Sequence, residues 1–133
     1  MTGDGRAVSI LLVEDEELNR ALVRAVLDRA ADPRLKAARL IEAGDLAQAR
    51  AHLREAPVDL VLLDVQLPDG SGLGLARELT ADRVAPRPAI VALTAGVLPE
   101  QLDAAREAGC DAVLAKPYQY ASLLKLLVEQ LPD

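Results

Sequence analysis

The sequence predicts an α/β protein with a doubly wound (βα)5 fold, whose five-stranded parallel sheet has the strand order 2-1-3-4-5. Short apolar runs alternate five times along the chain with segments in which apolar residues repeat at helical spacing. This alternation requires crossover connections, and therefore a parallel sheet with helices packed on its faces. The length of 133 residues suits five strand–helix units, whereas an eight-fold barrel needs roughly 250 residues.

The predicted strands are short and mostly apolar. Residues 8–13 form a nearly continuous apolar run, as expected for a strand that is covered on both faces. Residues 58–63 form the central strand, and residues 89–93 and 112–115 form the fourth and fifth strands. The second strand is assigned to residues 34–41, which have the weakest pattern of the five.

The predicted helices begin and end at residues with specific backbone chemistry. The first helix should end before Pro33, because proline interrupts helical hydrogen bonding. Asp45 should cap the second helix, with Gln48 three residues later as in a capping box. Pro99 fits the first turn of the fourth helix, and Gly109 fits its end. The apolar residues of the helical stripes are Leu18, Ala21, Leu22, Ala25, Val26, Leu46, Ala49, Leu53, Leu73, Ala76, Leu79, Leu123, Leu124, Leu127, Val128 and Leu131.

Composition limits the class of protein. The net charge of −6 argues against a general nucleic-acid surface, which needs a basic patch. A single cysteine excludes an internal disulfide and fits a reducing compartment. Residues 1–7 lack the apolar core of a signal peptide, and no apolar run is long enough to insert into a membrane. We therefore expect a cytoplasmic protein with one domain, residues 1–133, and a core over about residues 8–131.

Polar side chains lie at the carboxyl ends of four predicted strands. Glu14 and Asp15 follow the first strand, Asp64 the third, Thr94 the fourth and Lys116 the fifth. In the order 2-1-3-4-5 these four strands are adjacent, so their ends should border one crevice. Open α/β sheets bind their ligands in such a crevice.

The residue types at these strand ends favour phosphoryl chemistry with a metal ion. Clustered carboxylates repel one another and hold a hard cation such as Mg²⁺, which prefers oxygen ligands. The metal and Lys116 would attract an anion, and the hydroxyl of Thr94 would donate a hydrogen bond to it. Asp64 is the candidate nucleophile, because carboxylates form acyl phosphates in some phosphoryl-transfer proteins. Taken singly, each residue is also explained by an ordinary role in a turn or helix cap. Their coincidence at four adjacent strand ends favours a functional site.

The stretches around these residues resemble the receiver domain of response regulators in two-component signalling. The matching stretches are residues 11–16, 62–72, 92–95 and 108–117. The resemblance covers the chain from about residue 9 to residue 131, and residues 14–20 and 93–100 look most like receivers of hybrid sensor kinases. It implies the flavodoxin-like form of the doubly wound fold. It also implies a phosphorelay module that is no conventional enzyme and catalyses only its own phosphorylation and dephosphorylation.

The resemblance assigns roles to the acidic residues at the strand ends and to Gln66. Asp64 accepts a phosphoryl group from the phosphohistidine of a histidine kinase or a histidine phosphotransfer protein. Mg²⁺ is bound by Asp15, by Asp64 and by the backbone carbonyl of Gln66. Glu14 acts on the metal through a bound water.

The resemblance also implies how the domain switches. Thr94 bonds to the phosphoryl oxygen, Lys116 pairs with the same group, and the domain shifts from an inactive to an active conformation. The surface of the fourth helix, fifth strand and fifth helix then changes, and dimerisation through it is compatible with the family. Val113 stands where many receivers have an aromatic residue, so the usual threonine–aromatic coupling is not expected here. The Lys116–Pro117 bond is a candidate cis peptide.

Two tyrosines and two residues close to the phosphoacceptor and the threonine also bear on the site. Tyr118 and Tyr120 follow the Lys-Pro step, and a partner surface and ordinary packing of the last helix both remain open for them. Side chains two residues after the phosphoacceptor and two residues after the threonine flank the attacking water in the family. Here these residues are Gln66 and Gly96, and Gly96 is expected to leave its side of the cleft open.

Two other functions use the same residue types. A haloacid-dehalogenase-like phosphatase also has a strand-end Asp, a Thr, a Lys and Mg²⁺, but it requires a second Asp where this chain has Gln66. A receiver-like interaction module that is never phosphorylated has no need of the acidic pair, Thr94 or Lys116.

Overall fold

Strands and helices alternate along the chain as the apolar pattern predicts. The computed structural model describes residues 7–81 and 87–131, so the expectation for the first six residues lies outside the described part. In chain order the elements are β1 Ser9–Val13, α1 Glu17–Arg29, α2 Pro33–Lys36, β2 Arg39–Ala43, α3 Leu46–Glu55, β3 Leu60–Asp64, β4 Gln66–Leu67, β5 Gly70–Ser71, α4 Gly72–Ala81, β6 Ala89–Thr94, α5 Pro99–Glu107, β7 Ala112–Ala115 and α6 Tyr120–Gln130.

Five of the strands form one parallel sheet in the order β2-β1-β3-β6-β7. Because β6 and β7 are the fourth and fifth strands of this sheet along the chain, the predicted order 2-1-3-4-5 is confirmed. β4 and β5 pair separately as a short antiparallel hairpin. This hairpin lies directly after β3, so it borders the carboxyl edge of the sheet.

The sheet is buried on both faces, which explains why its strands lack an alternating pattern. In β1, Ile10 and Leu12 belong to the hydrophobic cluster on one face, and Leu11 and Val13 to the cluster on the other. Residues of α1 and α6 join the first cluster, and residues of α3, α4 and α5 join the second. Burying an aliphatic side chain of this size stabilises the fold by roughly 1.5–3 kcal/mol. The strand ends are therefore held by packing from both sides.

The prediction of a strand over residues 34–41 is wrong for its first half. Pro33–Lys36 forms the short helix α2, and β2 begins only at Arg39. The carboxylate of Asp32 accepts a hydrogen bond from the backbone N–H of Arg34 at 2.9 Å, and proline at the first helical position is preorganised for a helix. This local capping outweighs the weak apolar pattern.

The predicted helix boundaries at Asp45, Pro99 and Gly109 are confirmed. Asp45 caps α3 by accepting a hydrogen bond from the N–H of Gln48 at 2.8 Å. The side-chain oxygen of Gln48 accepts in return from the N–H of Gly44, one residue earlier than in a standard capping box. Pro99 opens α5, and Gly109 follows it with a φ of 99°, a conformation that favours glycine.

Gly72, at the start of α4, lies against the end of β3. A Cβ atom here would lie 2.0 Å from the backbone oxygen of Asp64, so Gly72→Ala forces the backbone to shift. We expect this variant to lower the free energy of unfolding by about 2–3 kcal/mol. Gly74→Ala is the matched control, since nothing lies within 4 Å of its new Cβ, and it should stabilise α4 by roughly 0.5–1 kcal/mol. Equilibrium unfolding in urea measures both, and equal stabilities would contradict the prediction.

Candidate functional site

The carboxyl edge of the sheet brings the predicted polar strand ends together. Glu14 directly follows β1, Asp64 and Thr94 end β3 and β6, and Lys116 directly follows β7. A cleft of about 400 Å³ lies at this edge, and Asp15, Asp64, Thr94 and Lys116 line it. Glu14 is not among the lining residues, because its side chain is fully buried beneath the cleft.

Lys116 connects two buried carboxylates. Its Nζ lies 2.7 Å from Oδ2 of Asp64 and 3.0 Å from Oε1 of Glu14. Glu14 is 0% exposed and Asp64 is 4% exposed. The backbone N–H of Lys116 donates to the carbonyl of Thr94 at 2.7 Å, which anchors this residue to the end of β6. Buried charges are stable only when well compensated, and this one ammonium group contributes to the compensation of both carboxylates.

Burial and hydrogen bonding shift the pKa values of Glu14 and Asp64 in opposite directions. Burial, together with repulsion from Glu14, raises the pKa of Asp64 in spite of its hydrogen bond from Lys116. Burial also acts to raise the pKa of Glu14, but hydrogen bonds from Lys116, from the N–H of Glu16 and from Tyr118 outweigh it, and the pKa is lowered. The pKa of Lys116 is raised, because its two carboxylate partners outweigh its own burial. The ammonium therefore stays charged, and Asp64 is the carboxylate that is poorly compensated.

The acidic residues form a donor set that fits a hard divalent cation. Glu14, Asp15 and Asp64 each offer a carboxylate oxygen, and these oxygens all lie within 4.8 Å of one another. Asp15 is exposed, whereas the other two are buried. Mg²⁺ prefers oxygen ligands and keeps several of its waters. A set that combines buried carboxylates with a solvent-facing one meets both requirements.

The hydroxyl of Thr94 is bonded within its own loop rather than to a carboxylate. Its Oγ1 donates to the carbonyl of Gly96 at 3.0 Å and accepts from the N–H of Gly96 at 3.2 Å. The two bonds close a tight turn directly after β6. A ligand that recruits this hydroxyl must therefore open the turn.

The expectation that Gly96 leaves one side of the cleft open is wrong. A Cβ atom on Gly96 would lie 2.3 Å from Oε1 of Gln101, so the side chain of Gln101 already fills that space. Oε1 of Gln101 accepts from the N–H of Leu98 at 2.9 Å, which fixes the amide at the start of α5. Gln101 lines the cleft as well. Sequence spacing gave no sign of this, because the residue comes from the next helix.

Tyr118 makes a contact that the sequence left undecided. Its hydroxyl donates to Oε1 of Glu14 at 2.9 Å, and the residue is 6% exposed. It therefore belongs to the core rather than to a partner surface, and the partly buried Tyr120 packs against the same cluster. A buried tyrosine needs a partner for its hydroxyl, so the acid cluster nearby was the clue to this contact. The peptide bond between Lys116 and Pro117 is cis, as the resemblance suggested.

The chain is thus an α/β protein with an acidic cleft at the carboxyl edge of its parallel sheet. The sequence profile of the response regulator receiver domain matches residues 10–128, and the chain belongs to this family. Within residues 7–81 and 87–131, no helix has both the length and the apolar character needed to cross a bilayer.

Particular relatives support this assignment. The polar-differentiation response regulator DivK of Brucella ovis is 31% identical over 125 residues, which cover 94% of this chain and 97% of DivK. The receiver domain of the sensor histidine kinase PA1611 from Pseudomonas aeruginosa, solved with a magnesium ion in its active-site cleft, is 31% identical with a TM-score of 0.76 over 94% of this chain and 98% of that one. The chemotaxis response regulator CheY4 of Vibrio cholerae shares the fold at 24% identity, with a TM-score of 0.82 over 95% of this chain and 100% of that one.

The raised pKa of Asp64 leads to a prediction for stability. Ionisation of a carboxyl whose pKa is raised by folding costs stability at neutral pH, and Asp64→Asn removes that cost. We expect this variant, in EDTA at pH 7, to have a higher free energy of unfolding than the wild type. We also expect added Mg²⁺ to stabilise the wild type but not the variant.

Equilibrium urea unfolding with EDTA and with Mg²⁺ measures both effects. Asp103→Asn is the matched control, because Asp103 is exposed on α5, and it should change the stability by less than about 0.5 kcal/mol. An Asp64→Asn protein that is less stable than the wild type in EDTA would contradict the electrostatic account.

Proposed function

We propose that the chain, residues 1–133, acts as a single cytoplasmic receiver domain whose Asp64 accepts a phosphoryl group from the phosphohistidine of a histidine kinase or a histidine phosphotransfer protein. The observation that carries the proposal is the position of the Lys116 ammonium, 2.7 Å from Oδ2 of Asp64 in a cleft that also contains Asp15. A nucleophilic carboxylate, a fixed positive charge and a metal-binding acid then surround one point. This is the arrangement that phosphoryl transfer requires.

The transfer is a displacement at phosphorus. An oxygen of the Asp64 carboxylate forms the new P–O bond, and the P–N bond to the donor histidine breaks with its electron pair remaining on the nitrogen. Mg²⁺, when bound, would neutralise charge on the phosphoryl oxygens. The residues proposed to hold it are Asp15, Asp64 and the backbone carbonyl of Gln66, with Glu14 acting through a bound water. Attack of water on the acyl phosphate reverses the modification and releases inorganic phosphate, so the domain completes its own cycle.

Phosphorylation changes the position of Thr94. In the described structure its hydroxyl is bonded to Gly96, and a phosphoryl oxygen on Asp64 offers it a charged acceptor, which makes a stronger bond. Turning towards this acceptor opens the loop before α5, in which Val97 and Leu98 are 54% and 57% exposed. The surface of α5, β7 and α6 then presents a different apolar pattern.

The proposed partners follow from this surface and from the charge of the chain. A histidine kinase or phosphotransfer protein is the donor, and a second copy of this chain is a candidate to dock on α5, β7 and α6 in the phosphorylated state. The net charge of −6 disfavours direct binding to nucleic acid.

Acetyl phosphate tests the proposed acceptor directly. Wild-type protein incubated with acetyl phosphate and Mg²⁺ should gain the mass of one phosphoryl group in intact mass spectrometry, and EDTA should prevent the gain. Asp64→Ala should show no adduct. Lys116→Ala should reduce the initial labelling rate by roughly 10²-fold, because it removes a charge that stabilises the transferring group. Asp103→Ala, which removes an exposed acid on α5, is the control and should label like the wild type.

The other outcomes identify the alternative functions. Steady multiple turnover on phosphate monoesters would indicate a phosphatase and contradict the proposal. A wild-type chain that gives no adduct and binds neither Mg²⁺ nor beryllofluoride would indicate an interaction module that is never phosphorylated.

A further inference from the structure

The hydrogen bond between Tyr118 and Glu14 is a buried polar contact that has no role in the phosphoryl transfer proposed above. Oε1 of Glu14 accepts from two donors, the Tyr118 hydroxyl at 2.9 Å and the Lys116 ammonium at 3.0 Å. Oε2 of Glu14 accepts from the N–H of Glu16 at 3.2 Å. These three donors are those that the described residues offer to the carboxylate, and Glu14 is 0% exposed.

Lys116 forms ion pairs with two carboxylates, Glu14 and Asp64. Phosphorylation would change the negative charge at only one of them, Asp64. A phosphoryl group on Asp64 places additional negative charge outward of the aspartate oxygens, in the cleft. The ammonium that now lies 2.7 Å from Oδ2 of Asp64 is drawn towards this charge and away from Oε1 of Glu14. Bulk water does not reach this fully buried carboxylate, and the metal-bound water proposed for Glu14 is present both before and after the ammonium moves, so losing the ammonium there is costly.

Among the residues that the structure describes, Tyr118 is the only other donor to Oε1 of Glu14. The Tyr118 ring belongs to the hydrophobic cluster that α1 and α6 cover, and is fixed by packing. Its hydroxyl is therefore already in place when the ammonium moves, and it needs no rearrangement to compensate the carboxylate.

We infer that Tyr118 is a positioning residue of the phosphorylation site: its hydroxyl holds Glu14 in place while Lys116 moves from Glu14 to the phosphoryl group. The inference rests on the proposed function and adds to it a residue that acts through Glu14 and Lys116 without touching the phosphoryl group. Removing the hydroxyl leaves Oε1 of Glu14 dependent on Lys116 alone. The ammonium is then retained at Glu14, and binding of a phosphoryl group or its analogue is weakened.

The test compares two tyrosine-to-phenylalanine variants. Beryllofluoride, an analogue of the phosphoryl group on a carboxylate, is titrated into each protein at saturating Mg²⁺ and followed by calorimetry. We expect Tyr118→Phe to weaken its binding about tenfold, as expected for a hydrogen bond to a charged group. Tyr120→Phe is the matched control, because the Tyr120 hydroxyl makes no hydrogen bond to another described residue, and its affinity should stay within about twofold of the wild type.

Two further measurements separate this role from packing. The affinity for Mg²⁺ alone should change less in Tyr118→Phe than the affinity for beryllofluoride, because Lys116 stays at Glu14 until the anion binds. In a Glu14→Gln background, the same substitution should weaken beryllofluoride binding less than about threefold, because an uncharged amide needs less compensation. Circular dichroism establishes that every variant is folded under the conditions of the titration.

Each result decides between the two proposals. Equal beryllofluoride affinities for the wild type and Tyr118→Phe would overturn the inference and leave the proposed function intact. If Tyr118→Phe costs the same affinity in the Glu14→Gln variant as in the wild type, the loss comes from altered packing, and the inference is again overturned. Failure of the wild type itself to bind the analogue would overturn the proposed function, and the inference with it.

Discussion

The sharing of one ammonium group between two buried carboxylates is the interaction on which the rest of the cleft depends. Glu14 and Asp64 follow adjacent strands, and each would destabilise the fold if it were buried without a partner. The Nζ atom of Lys116 lies 3.0 Å from the first and 2.7 Å from the second. Because this group compensates both only in part, a cation or a change of charge at Asp64 alters the balance. For the same electrostatic reason, the metal binding and the phosphorylation that we propose would both act on this balance.

The topology of the sheet fixes the distances between these charged groups. Hydrophobic layers on both faces fix the fully buried strands β1 and β3, so Glu14 and Asp64 cannot readily separate to relieve their repulsion. The parts that can rearrange are short loops beyond the strand ends, such as the turn that the Thr94 hydroxyl closes with Gly96. In the switching that we propose, a change of charge at this fixed cluster would open the neighbouring turn, which two hydrogen bonds close.

The sequence was sufficient to predict the features that depend on periodicity or on strand ends. The convergence of Asp64, Thr94 and Lys116 follows from where apolar runs stop, because parallel strands share one carboxyl edge, and the strand order is a common one of the doubly wound fold. Features that depend on tertiary contacts could not be predicted in this way. Gln101 reaches the space beside Gly96 from another helix, and the Tyr118 hydroxyl meets Glu14 across 104 positions of the chain. The helix α2 was missed because a local cap outweighed a weak apolar pattern.

The absence of an aromatic side chain at Val113 changes how a signal can leave the cleft. Val113 packs against the cluster on the α3, α4 and α5 face and has no hydroxyl or ring to follow Thr94. Two connections remain: Thr94 leads through Gly96 to α5, and Lys116 leads through Glu14 and Tyr118 to the segment before α6. In the switching that we propose, Thr94 and Lys116 each exchange a hydrogen-bond partner while Tyr118 keeps its own, and such exchanges need smaller displacements than the turning of an aromatic ring. The two conformations of this domain should therefore differ more in the loops at the cleft than in the positions of its helices.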